Sequence, residues 1–206
     1  MANKVKFGLS NVHVLFIDNY DPESKTYTFE KKTGETNKAN IMPIPGAVNI
    51  SLAPQGDKSE FYADDIAYFV KNANTGYSGD LEIATIPDWF RQKALGEVVD
   101  KNGVQLESAD AVTKEFVMMF EVNGDVTKTR FITYRNTISR PSIKGQTVES
   151  SITPSTDAMT ITAMPRENDH FTVGHISGDV TDATAKAAYA AWYTDMHEPD
   201  ADDNGE

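Results

Sequence analysis

Apolar residues recur at every second position through much of this chain, and that period belongs to strands with one face turned to a core. Val5, Phe7 and Leu9 alternate with Lys6, Gly8 and Ser10, and Val12, Val14 and Phe16 continue the same face. This predicts one long strand that turns at Asp18-Asn19-Tyr20-Asp21-Pro22, with Tyr27 and Phe29 on its hairpin partner. Lys31 to Asn40 is charged and loop-like; Val48, Ile50 and Leu52 mark another strand, ended by Pro54-Gln55-Gly56-Asp57. Two strand pieces follow around Phe61, Tyr62, Ile66 and Tyr68 to Val70. Lys71-Asn72-Ala73-Asn74-Thr75-Gly76 then reads as an exposed loop, and Leu81, Ile83 and Ile86 as the next strand.

The later chain repeats the pattern. Phe116 to Val122 and Arg130 to Ile138 are strands joined by the turn Asn123-Gly124-Asp125. Met159, Ile161 and Ala163 alternate with threonines, and His170 to Ile176 holds a short strand. Asp100-Lys101-Asn102-Gly103 is a hairpin turn. Two helices interrupt the strands. Pro87 suits the first position of a short one, Asp88 to Leu95, stopped by Gly96. Thr181 to Met196 is Ala-rich, with Tyr189, Trp192, Tyr193 and Met196 on one stripe that packs against the sheet or a neighbouring subunit. The expected fold is mainly β, a sandwich or barrel with a mid-chain helix and a C-terminal helix. It forms one domain over 1–197 with an N-terminal arm at about 1–6, and 198–206 is an acidic, disordered tail.

Charge narrows the function classes. The net charge of -12 argues against a nucleic-acid reader, which needs a basic patch for phosphates. No Lys or Arg follows Lys186, and half of that charge comes from Asp195, Glu198, Asp200, Asp202, Asp203 and Glu206. Cysteine is absent, so there is neither a disulfide nor a thiolate nucleophile or ligand, as suits a protein made in a reducing cytoplasm. No apolar run approaches the ~20 residues that a membrane helix needs.

Few residues form a chemical constellation. Gly76-Tyr77-Ser78-Gly79 fails as a nucleophile elbow because Asp80 stands where the second glycine belongs, so Ser78 reads as a turn residue. Lys144-Gly145-Gln146-Thr147 lacks the glycine and lysine placement of a phosphate loop. His170 and His175, five apart, point to opposite faces of a strand; His13 lies on a polar face and His197 beside the acidic tail, all as surface histidines. Asp200 to Gly205 copies the start of an EF-hand loop, but no position-twelve glutamate follows. Asp64 with Asp65, and Asp202 with Asp203, are adjacent and face apart, unlike the converging carboxyls of a glycosidase. Tyr62, Tyr68 and Tyr77 are candidates for a sugar platform or for core. These residues predict neither a catalytic site nor a cofactor or metal.

Longer strings carry a resemblance. Lys4-Val5-Lys6-Phe7-Gly8-Leu9-Ser10-Asn11-Val12-His13, Pro43-Ile44-Pro45-Gly46-Ala47-Val48-Asn49, Phe61-Tyr62-Ala63-Asp64 and Gly76-Tyr77-Ser78-Gly79-Asp80-Leu81-Glu82-Ile83-Ala84 resemble the phi-thirteen type of major tail proteins. These belong to long-tailed phages of Gram-positive bacteria. Ile86-Pro87-Asp88, Leu95-Gly96 and Ser139-Arg140-Pro141-Ser142 extend the likeness in the family's order over residues 4–166. The chain after Arg166 departs more, although a helix with Tyr189 and Trp192 also looks like the family's end. The resemblance implies a non-enzymatic tail tube subunit, with a β-sandwich and flanking helix, in six-membered rings that stack into a hollow cylinder. It also implies a virion tail assembled in the host cytoplasm, with tape-measure, tail-tip and tail terminator proteins as partners. Viral DNA would pass the lumen without specific binding. Lys71, Asn72, Ala73, Asn74, Thr75, Gly76 and Tyr77, with the N-terminal arm, are the expected contacts to neighbouring subunits, because an Asn/Gly-rich loop beside aromatics is left exposed in a monomer. A carbohydrate-binding or adhesion module on a β-sandwich is the alternative.

Overall fold

The structure is a computed structural model that describes residues 8–35, 38–63, 66–124, 127–143, 145 and 155–199, with backbone alone for 58–63 and 66–72. Among these, β1 spans Leu9–Asp21, β2 Thr26–Phe29, β3 Met42–Pro43, β4 Ala47–Gln55, β5 Lys58–Ala63, β6 Ile66–Asn72 and β7 Gly76–Ile83. Helix α1 (Asp88–Leu95) follows, then β8 (Val98–Val99), β9 (Gln105–Leu106), β10 (Phe116–Val122), β11 (Arg130–Ile138), β12 (Asp157–Ala163), β13 (Val173–Ile176) and helix α2 (Ala183–Ala191).

The principal sheet is antiparallel in the order β2-β1-β10-β11-β12-β7-β4, with β13 also on β11 and β3 on β1. Strand β11, paired with β10 along one edge, serves two further partners along the other because it is long. Its first half pairs with β13 (Phe131↔His175) and its last residues with β12 (Ile138↔Ile161). Just before β4, Ile44 N–H donates to the Val12 carbonyl at 2.8 Å, so the far edge of the sheet comes round to β1. The fold is mainly β and sandwich-like, as the alternation predicts.

Two apolar layers lie on the two faces of β1, β10 and β11. The inner one holds Val12, Val14, Phe16, Phe116, Met118, Phe120, Leu81, Ile83, Met159 and Ile161 between the halves of the curled sheet. Helix α1 adds Phe90, Ala94 and Leu95 to it, with the Phe90 ring 5.5 Å from that of Phe116 and edge-on. Pro87 stands at the N-cap, one residue before the predicted first position, and Gly96 ends the helix in the left-handed conformation (φ 72°). The outer layer joins Leu15, Ile17, Val117, Met119, Ile132 and Tyr134 to Trp192 and Met196. Cover on both faces leaves six consecutive residues of β10, Phe116 to Glu121, buried.

Several local expectations need correction. Strand β1 runs through Asp18 to Asp21, and the turn comes at 22–25; Val5 and Phe7 lie outside the described residues. Ile86 is buried but lies past the end of β7, after a bend at 84–85. Only Val173–Ile176 of the stretch from His170 is a strand, and His170 itself has φ 62°. The C-terminal helix occupies Ala183–Ala191, not Thr181 to Met196, with Asp182 accepting from Ala185 N–H at its start. Its stripe continues through the turns after Ala191, so Trp192 and Met196 still reach the sheet. Of the histidines, His170, His175 and His197 are exposed as expected, while His13 is half-buried; His197 stacks on Trp192 (5.9 Å), and His13 and His175 lie tilted beside Tyr193 (4.7 Å) and Phe131 (5.9 Å).

Candidate assembly interface

Strands β4 to β7 form one long ribbon with a break in the middle. The inner part pairs β4 with β7 from Ala47↔Ile83 to Gln55↔Gly76, inside the main sheet. The outer part pairs β5 with β6 from Lys58↔Asn72 to Ala63↔Ile66, and among the described residues these two pair with no other strand. The segment predicted as a loop is therefore not one. Lys71 and Asn72 are ladder residues of β6, Gly76 and Tyr77 open β7, and only Ala73, Asn74 and Thr75 join them. Ser78 is likewise a ladder residue of β7, between Ala53 and Thr162, not a turn residue.

The break is tightly held. Ala73 N–H donates to Asp57 O and Thr75 N–H to Gln55 O, both at 3.0 Å, while the Asn74 side chain accepts from Gly76 N–H at 3.2 Å. Glycine is required on both strands. A Cβ on Gly56 would lie 1.8 Å from the Ala73 oxygen, and one on Gly76, at φ 124°, 2.1 Å from that of Ala163. These contacts fix where the outer hairpin leaves the sheet.

Beside that exit lies a groove of about 390 Å³, lined by Ile50, Leu52, Tyr77, Phe120, Phe131 and Val173 among others. Tyr77 is half-buried and faces this apolar wall. The side chains of Tyr62 and Tyr68, its proposed companions in a sugar platform, are not among those described.

The C-terminal segment is tied down further than its acidity implies. Arg166, almost fully buried, holds Glu198 at 2.8 Å and Asp169 at 3.3 Å, with the Tyr27 and Tyr134 rings each 5.2 Å away. Burial pushes the Tyr134 phenol up to about 12, against the pull of Arg166. Glu198, placed by its sequence in a disordered tail, is thus an ordered partner; Asp200 to Glu206 lie outside the described residues, as do the N-terminal arm, Asp64 and Asp65. Arg130 fastens the helix before it. It pairs with Glu121 at 3.2 Å, donates to the Tyr189 carbonyl and lies 3.8 Å over the Tyr189 ring. Among the described residues no group of three His, Asp or Glu side chains is placed to hold a metal ion, and no helix is long and apolar enough to cross a membrane.

No family model and no curated protein matches this chain.

Proposed function

We propose that this protein is the major tail subunit of a bacteriophage, a non-enzymatic structural protein that polymerises as stacked six-membered rings around a channel for DNA. The observation that carries the reading is the outer β5–β6 hairpin. It extends the β4–β7 ribbon beyond the sheet, and among the described residues neither of its strands pairs with a third. Such edges invite strand addition, and natural proteins cover or pair them. In a ring, the hairpin of each copy pairs with the next, and the contact is heterologous and closes. The number six and the tape-measure, tail-tip and terminator proteins as companions come from the family that the strings over residues 4–166 resemble. A lumen that passes DNA must not grip phosphates, and the acidic balance suits that requirement. The tail of a virion, assembled in the bacterial cytoplasm, is its place in this reading.

The test removes the hairpin and spares the sheet. Replacing 58–72 with a short Gly-Ser turn between Asp57 and Ala73 leaves the Gln55↔Gly76 end of the inner ladder intact. The expected product is a folded monomer that unfolds cooperatively and no longer forms rings or tubes. Tubes of normal diameter from that variant would sink the proposed role of the hairpin.

A further inference from the structure

Three side chains from separate parts of the chain meet at one carboxylate oxygen. Glu30 follows β2 directly, Asn40 stands just before β3, and Lys93 lies in the last turn of α1. Lys93 Nζ donates to Glu30 Oε1 in an ion pair, and Asn40 Nδ2 donates to the same oxygen at 2.8 Å. All three residues are half-buried, with 34% of the Lys93 side chain and 22% of the Glu30 side chain exposed. The Phe16 ring closes one side, its centroid 5.8 Å from Lys93 Nζ.

The backbone holds these groups in place. Glu30 N–H donates to Phe16 O at 2.9 Å, and Asn40 N–H donates to Glu30 O at 2.7 Å. Lys31 bridges to Ala39, so the chain from Glu30 to Asn40 returns on itself. Helix α1 is anchored beside them by Phe90, Ala94 and Leu95 in the core, and by Lys114 N–H on Ala94 O at 2.9 Å. Lys32, Lys38 and Lys114 also pair with carboxylates, but no carboxamide of a described residue donates to those. Among the described residues, an amine and a carboxamide share one carboxylate only at Glu30. That is the set of groups that can join two side chains through an amide, and a fixed arrangement makes the step unimolecular.

We propose that Lys93 and Asn40 condense into an intramolecular amide cross-link, with Glu30 as the acid–base group. Glu30 takes a proton from the Lys93 ammonium, which leaves two neutral groups in a site largely shielded from water. The freed amine attacks Asn40 Cγ and forms the new C–N bond. The carboxyl passes protons from the Lys93 nitrogen to Nδ2, to which it is already hydrogen-bonded. The old C–N bond breaks, Nδ2 leaves as ammonium with two protons gained from Lys93, and the Glu30 carboxylate is restored. No oxidant, metal or water is consumed. The reaction occurs once per chain, so the protein stays a structural one. It closes the chain from Asn40 to Lys93 into a covalent ring, which constrains the unfolded state as a disulfide would in a chain without cysteine. The proposal stands whether or not the chain forms tubes.

Mass spectrometry of the purified full chain tests it, first intact and then after proteolysis. The expected chain is lighter than its sequence by one ammonia, and its digest holds two peptides joined through Lys93 and Asn40 that resist reduction and denaturation. Two variants identify the groups. Lys93→Arg keeps a cation for Glu30 but cannot form the amide, and Glu30→Gln keeps the shape but cannot carry the proton. Both should return to the full sequence mass, and Lys93→Arg should unfold cooperatively at a lower denaturant midpoint than the wild type. A wild-type chain at its full sequence mass, with the two peptides separate, reduces the cluster to an ion pair and overturns the proposal. Ammonia lost with the two peptides still separate places the loss elsewhere and overturns it equally. Joined peptides in Glu30→Gln would remove Glu30 from the reaction.

Discussion

Gly76 and Glu97 are two single residues on which much of the local geometry depends. Gly76 has a backbone conformation that only glycine adopts readily, and its Cα faces the carbonyl of Ala163 across the ladder. Gly76→Ala should cost about 3 kcal/mol through strain and the clash together, read as a lower midpoint in chemical denaturation. An unchanged midpoint would mean that the ribbon break is looser than its hydrogen bonds imply. Glu97 makes a prediction about pH. Burial pushes its carboxyl up, and the hydrogen bonds from Arg91 and Gln105 outweigh this, so it titrates below its ordinary 4.5. A group depressed in the folded state contributes its stability in full above the unfolded value and loses it as pH falls through the folded one. Glu97→Gln should therefore cost about 1–3 kcal/mol at neutral pH, a gap that narrows as the pH drops below 4.5. A gap that is constant from neutral to acid pH would contradict the ion-pair account.

At the scale of elements, the outer layer hangs on Trp192. Its side chain is buried against the sheet, and its indole N–H donates to Phe131 O at 3.4 Å. Trp192→Ala should cost about 3–5 kcal/mol and release α2 from the sheet, seen as faster amide exchange in β11 and α2 together. A loss under about 1 kcal/mol would show that Arg130 and Met196 hold the helix by themselves. The residues also explain how much was legible beforehand. Clean alternation, as in Met159-Thr160-Ile161-Thr162-Ala163, placed strands correctly because one face meets water. The four consecutive apolar residues Val14 to Ile17 carried the signal of a strand covered on both sides, which a one-face reading missed. Tyr189 to Met196 kept helical spacing beyond the real helix because turns after Ala191 deliver the same side chains to the same surface. The segment Lys71 to Tyr77 was read as a loop, whereas only Ala73 to Thr75 lie between the two strands. Asn and Gly there signal a break in a paired ribbon as readily as a loop. Buried polar pairs such as Arg166 with Glu198 left no local pattern, since their partners are far apart in sequence.

The whole molecule has a direction. The outer hairpin and the groove beside Tyr77 occupy one end, and α1 with the β8–β9 hairpin the other, while α2 and the bound segment at Glu198 cover the outer face of the sheet. Hairpin strands that pair with no third strand among the described residues are a liability in an isolated monomer, and the assembly proposed above would cover them by pairing between copies. Self-assembly is thus the central claim, and negative-stain electron microscopy of the purified protein across concentrations, with light scattering on the eluting species, tests it most directly. Rings or hollow cylinders that grow with concentration are the expected result. A strict monomer at every concentration that binds glycans would contradict the account and assign the β-sandwich to carbohydrate recognition instead.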